Sequence, residues 1–208
     1  MIPTLRLLCI GAALVGFPSP ATAQHVAVLG DSLSHPIGIQ LQQLHPALHV
    51  LRNSLGGTGL VYEYQTWLRQ TQASLSRYRP TVTFIVLGTN DTNGLSASVP
   101  FGTPQWDSAY ASRVSAILLI ALRYSSRVVW VGAPPMRNTN FSTRVQHLNS
   151  VVEQAIRNLS NSSVAFFSCF ALFGNRFSEF STGHQRARET DGIHLTRYGA
   201  RLIAAQIL

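Results

Sequence analysis

Apolar positions along the chain fall into two alternating kinds of run. Short blocks rich in β-branched and aromatic residues recur at about 25–30, 48–53, 81–87, 127–131 and 163–168. Between them lie longer stretches whose apolar residues are spaced three and four apart: Pro36 to about His45, then about 62–78, 107–125, 142–159 and 196–207. The first kind reads as buried strands and the second as helices. In 142–159, for example, Val145, Leu148, Val151, Val152, Ile156 and Leu159 form one apolar stripe. Strands alternating with helices predict an α/β fold: a three-layer α/β/α sandwich around a five-stranded parallel sheet. No repeat, low-complexity stretch or linker divides the chain, so 24–208 reads as one domain. Two connections stand out. Residues 92–105, rich in Gly, Ser, Thr and Pro, make a long loop that either borders a site or is a surface excursion. Residues 171–190 read as an irregular polar connection.

The first 23 residues have a separate pattern. Arg6 precedes an apolar stretch from Leu7 to Phe17, and Ala21-Thr22-Ala23 has the small-residue form of a cleavage site. About eleven apolar residues fall well short of the ~20 that span a bilayer, which favours a cleaved signal peptide over an anchor. The expected location is periplasmic or secreted, with no stable membrane insertion after cleavage. Cleavage would remove Cys9 and leave Cys169 alone, in the apolar setting Val164-Ala165-Phe166-Phe167-Ser168-Cys169-Phe170. A buried, inert thiol is expected there, because no partner remains for an internal disulfide.

The formal net charge is +8 over 208 residues, and every basic residue is an arginine. With no lysine, Schiff-base and Ser–Lys chemistry are excluded. The arginines are scattered, without the dense run or recognition motif of a nucleic-acid binder. Of only four aspartates, three (Asp31, Asp91 and Asp191) sit in the motifs described next.

Gly30-Asp31-Ser32-Leu33 follows the first strand and precedes Pro36, a residue suited to a helix start. In an open α/β sheet, ligands bind at the carboxyl ends of strands. Far along the chain, Asp191-Gly192-Ile193-His194 places a carboxylate and an imidazole three residues apart. A serine hydroxyl needs a base, and the base needs a group that fixes its tautomer. Ser32, His194 and Asp191 can fill those roles. Gly56-Gly57 follows the second strand, and Asn90 lies in Gly88-Thr89-Asn90-Asp91 after the third. A glycine N–H and an asparagine amide are natural donors to the oxyanion of a tetrahedral intermediate. His184 is a competing base, but no carboxylate sits beside it in a tight motif. Tyr62, Tyr64 and Trp67 either line a pocket or pack on the sheet. Arg137, in Pro134-Pro135-Met136-Arg137, either binds an anionic group or braces its loop.

These four blocks, in this order, resemble those of the SGNH (GDSL) hydrolases, and the likeness covers nearly the whole mature chain. The Gly-x-Ser-x-Gly elbow of α/β-hydrolases is absent at Ser32. The resemblance implies a flavodoxin-like fold and esterase or lipase-type activity without metal or cofactor. It casts Ser32 as nucleophile, His194 as base and Asp191 as its orienting partner. The Ser32 backbone, the block-two glycine and Asn90 would form the oxyanion hole, with Gly57 preferred to Gly56. Asp31, Gly56, Tyr62 and Arg137 complete the residues expected along the substrate. Gly57-Thr58-Gly59-Leu60, Pro134-Pro135-Met136-Arg137 and Arg188-x-x-Asp191 resemble an exported bacterial branch.

The expected function is an exported serine esterase acting on a small ester or an O-acylated envelope glycan, by hydrolysis or transfer. A lipid or thioester substrate is the nearest alternative. A glycan-binding protein without catalysis is another class, and nucleic-acid binding rests on charge alone. Oligomeric state is not legible.

Overall fold

The computed structural model describes residues 24–181 and 184–208. The segment read as a signal peptide, 1–23, lies outside them. The chain runs β1 (His25–Gly30), α1 (Ser34–Leu44), β2 (His49–Ser54), α2 (Tyr64–Tyr78), β3 (Val82–Val86), α3 (Pro104–Leu122), β4 (Arg127–Val131), α4 (Thr139–Leu159), β5 (Val164–Phe167), α5 (Cys169–Phe173) and α6 (Arg197–Ile207).

The five strands form one sheet in the order β2-β1-β3-β4-β5, and every neighbouring pair is parallel. This is the flavodoxin-like order. Successive strand residues point to opposite faces, and the two cores divide accordingly. Ala27, Leu29, Ile85, Val128 and Trp130 face α2, α3 and α4, where Trp67, Trp106 and Tyr110 are fully buried. Val26, Val28, Phe84, Val129 and Val131 face α1 and α6, packing on Ile37, Leu41 and Ile203. The inner strands β1, β3 and β4 read as near-continuous apolar runs because both faces are covered, whereas β2, at the sheet edge, is partly exposed and carries Arg52 and Asn53. No described helix is long and apolar enough to cross a membrane.

Element boundaries moved where capping chemistry outranks periodicity. Helix α3 starts at Pro104, because Thr103 accepts the Trp106 N–H at its N-terminus and proline suits the first turn. Asn138 starts α4 in the same way, accepting the Phe141 N–H. Ser168 caps the short helix α5, which runs into the first residues of the 171–190 stretch expected to be irregular. Cys169 is fully buried there, and burial pushes its thiol up to about 12, so it stays protonated and inert. The 92–105 loop is pinned down: Trp106 Nε1 donates to the Asn93 carbonyl, Arg144 donates to the Thr92 carbonyl, and the Arg144 guanidinium lies 4.3 Å from the Phe101 ring centre.

Strand β1 lies between β2 and β3, so the turn that leaves it is flanked by the turns leaving both. Close approach makes the junction at Gly30: a Cβ there would sit 1.9 Å from the Val86 carbonyl oxygen. The Asp31 N–H donates to that same oxygen at 2.9 Å, and the Leu55 N–H donates to Gly30 O at 2.9 Å. The ends of three strands are thereby tied together at one edge.

Candidate active site

Ser32 stands half-buried in the turn between β1 and α1. Its Oγ is 2.9 Å from His194 Nε2, across 162 positions of sequence. His194 Nδ1 is in turn 2.6 Å from Asp191 Oδ2. The other Asp191 oxygen accepts the Ile193 and His194 backbone N–H groups at 2.8 and 2.9 Å. Partial burial disfavours the charge on Asp191, but the bonds from His194 and Ile193 outweigh it and hold the carboxyl down at about 2. An ionised Asp191 keeps a proton on Nδ1. Nε2 then faces the serine hydroxyl as an acceptor, the arrangement a serine nucleophile needs.

The turn carrying Asp191 and His194 is held from below. Gly192 has φ +77°, and a Cβ there would lie 2.4 Å from Arg137 Cβ. The Arg137 N–H donates to the Gly192 carbonyl at 3.0 Å, while the Arg137 guanidinium bonds to the Thr190 carbonyl and pairs with Glu179. Arg137 is therefore a brace of this turn, the second of the two roles open to it. Arg188 is the other support. It is 1% exposed and forms no ion pair among the described residues; its guanidinium donates to the carbonyls of Pro135, at 2.5 Å, and Ile193, at 2.8 Å. Burial pulls its pKa down to about 10, which still leaves it charged at neutral pH.

Two buried carboxylates organise the loops around Ser32. Asp31 is fully buried: Oδ1 accepts the Leu33 N–H at 3.0 Å and Oδ2 the Thr89 N–H at 3.3 Å. It joins the serine turn to the Asn90 loop and does not reach substrate, contrary to the expectation for it. Burial, with Asp91 adding to it, pushes the Asp31 carboxyl up to about 7 against those two bonds. Asp91 accepts the N–H groups of Leu60 and Val61 at 2.9 and 2.7 Å and the Tyr110 hydroxyl at 2.8 Å. It ties the Asn90 loop to the segment after β2. Burial raises its carboxyl as well, although those three donors oppose the rise.

Asn90 is half-buried, and its Nδ2 donates one hydrogen to the Thr58 carbonyl at 2.9 Å. The second hydrogen has no protein acceptor among the described residues. Both candidate glycines, Gly56 and Gly57, lie in the turn that leaves β2. A Cβ on Gly56 would be 3.8 Å from Ser32 Cβ, whereas one on Gly57 would meet nothing within 4 Å. Gly57 has φ +74°.

Of the aromatic trio, Trp67 is core, with Nε1 donating to Thr58 Oγ1 at 3.2 Å, and Tyr64 lies under the Arg113 guanidinium. Tyr62 is 68% exposed. His184 is exposed, with φ +61°. The supports that sequence reasoning missed are Arg188 and the two loop ties. Arg188 had a trace in the pairing of Pro134-Pro135-Met136 with Arg188-x-x-Asp191. Nothing in Gly30-Asp31-Ser32 distinguishes a buried aspartate from an exposed one.

A family model described as "Protein of unknown function (DUF459)" matches residues 25–208. The chain belongs to this family. No curated protein matches the sequence. Among solved structures, the DUF459 chain is similar to a lipase/acylhydrolase from Enterococcus faecalis, with TM-score 0.64 and 15% identity over 88% of this chain and 92% of that one. It is similar to an acetyl xylan esterase, with TM-score 0.63 and 15% identity over 87% and 96%. A carbohydrate acetylesterase from Sinorhizobium meliloti aligns with TM-score 0.57 and 19% identity over 88% and 96%. The fold is that of the GDSL/SGNH acylhydrolases, as the four sequence blocks led us to expect.

Proposed function

We propose that this protein is an exported serine esterase that removes short acyl groups, O-acetyl above all, from a cell-envelope carbohydrate. The observation that carries the reading is the chain of contacts from Ser32 Oγ to His194 Nε2, and from His194 Nδ1 to Asp191. As the Ser32 oxygen attacks the ester carbonyl, its proton passes to His194 Nε2. The carbonyl electrons move onto oxygen, where the N–H groups of Ser32 and Gly57 and the free Asn90 hydrogen stabilise them. Collapse expels the alcohol, which takes the proton from His194, and leaves an acyl-Ser32 ester. Water, deprotonated by the same imidazole, then releases the acid. A sugar hydroxyl in place of that water would make the protein an acyltransferase.

The acetyl-carbohydrate substrate is supported by the printed activities of two similar structures, an acetyl xylan esterase and a carbohydrate acetylesterase. Export is supported by the signal-like first 23 residues. N-terminal sequencing of the secreted protein should begin at Gln24 if the reading is right. The test of the chemistry is hydrolysis of p-nitrophenyl acetate by wild type and Ser32→Ala, with fluorophosphonate labelling of both. Wild type turns over and is labelled, and Ser32→Ala does neither; equal rates in the two proteins overturn the assignment.

A further inference from the structure

Beside the catalytic turn runs a groove that the chemistry above does not use. It opens where Arg137 packs on Gly192, and its first part, about 620 Å³, is lined by Met136, Arg137, Thr143, Gln146, Arg176 and Phe177 among others. A second hollow of about 280 Å³ continues it, sharing Gln146 and Asn175. Together they follow α4 from Thr139 to Glu153, about 20 Å of helix, enough for a short run of sugar rings. Its first end, at Met136 and Arg137 just after β4, lies at the carboxyl edge of the sheet, the edge that also carries Ser32, and the groove runs from there down α4.

Its lining mixes polar amides and hydroxyls with apolar side chains, and the charge of its first part is of one sign. No carboxylate lines the first part, whereas two arginines do. Arg137 is partly neutralised by Glu179, which also pairs with Arg186. Arg176 has no hydrogen-bond or ion-pair partner among the described residues, nor do the side-chain amides of Gln146 and Asn175. The single carboxylate of the second hollow, Glu153, pairs with Arg157 at 3.1 Å. Phe177 holds the guanidinium groups of Arg137 and Arg188 at 5.1 Å from its ring centre, so its face is occupied and does not offer a stacking platform for a base. An apolar acyl chain would leave the amides unsatisfied. A hydroxyl-rich chain carrying negative charge satisfies both the amides and the free guanidinium.

We propose that this groove binds an acidic polysaccharide, a glycan chain bearing carboxylates, and presents its esterified sugar to Ser32. The proposal rests on reading Ser32 as an esterase nucleophile, but its binding arm is measured without turnover. In affinity electrophoresis the Ser32→Ala protein should be retarded by polygalacturonate and not by dextran, and the retardation should fade as salt rises. Arg176→Gln, added to Ser32→Ala, should weaken binding about tenfold, the loss of one charge-assisted contact. With Ser32 intact, Arg176→Gln should keep the wild-type rate on p-nitrophenyl acetate while its KM for O-acetylated polygalacturonate rises about tenfold. Equal retardation by dextran, indifference to Arg176→Gln, or tighter retention by a single-stranded RNA oligomer would overturn the groove assignment. Failure of the esterase reading has a different signature: no p-nitrophenyl acetate hydrolysis, with polygalacturonate still retained through Arg176.

Discussion

The Asp91 carboxylate faces Gly59 across so little space that a Cβ built on Gly59 would lie 2.2 Å from Asp91 Oδ1. Gly59→Ala must therefore displace a buried carboxylate from the N–H groups of Leu60 and Val61. The expected loss is about 2–3 kcal/mol of stability, in the range of overpacking combined with weakened buried hydrogen bonds. Urea denaturation measures it. Gly57→Ala carries only the backbone strain of a positive φ and should destabilise less.

Stability against pH should carry the mark of Asp31. Its folded-state pKa is raised to about 7, above the ~3.9 of an unfolded aspartate. The folded protein thus holds the proton longer, and the associated stability is fully present below about pH 4 and is lost as pH rises through about 7. Asp191 acts in the opposite sense. Depressed to about 2, it contributes stability above about pH 4 that disappears as pH falls toward 2. Asp31→Asn keeps the side-chain shape and removes the titration. Its Tm should change less between about pH 5 and pH 8 than that of wild type, as followed by calorimetry. An unchanged pH slope would refute the Asp31 assignment.

Arg188 is a positioning residue in this structure, holding the turn of His194 by its carbonyls without touching the reacting atoms. Arg188→Gln strands the Pro135 and Ile193 carbonyls and should lower stability by about 2–4 kcal/mol. Well below the variant's Tm, kcat on p-nitrophenyl acetate should still fall while KM stays nearly constant, because the imidazole is misplaced but the ester site is not. A purely structural role would leave kcat at the wild-type value once the protein is folded.

The oxyanion donor and the orienting carboxylate should separate by magnitude. Losing one donor typically lowers kcat by about 10²–10³, so Asn90→Ala should retain measurable activity. Asp191→Asn disturbs the His194 tautomer and should lower kcat more, by about 10⁴ if the loss matches that in serine proteases. Stopped assays on one chromogenic ester give both ratios.

The strands were legible because each is an apolar run closed by a glycine or a polar turn, and all five were found within two residues of their observed ends. The early starts of α3 and α4 were missed because the helix periodicity begins later than the capping residues Thr103 and Asn138 that set the first turn. Helix α5, at five residues, is too short to show a period. At the site, Ser32, His194 and Asp191 were readable from chemistry and spacing, and the structure brings them together. The roles of Asp31 and Arg188 were not, because whether a charged residue is buried depends on what packs over it from elsewhere in the chain.

The partners joined at 2.9 Å come from opposite ends of the folded domain, Ser32 after the first strand and His194 just before the last helix. A growing polypeptide therefore displays a harmless alcohol for most of its synthesis. Reactivity switches on only when the final turn docks, so neither a truncated product nor an unfinished chain on the ribosome could cleave esters in the cell that makes it.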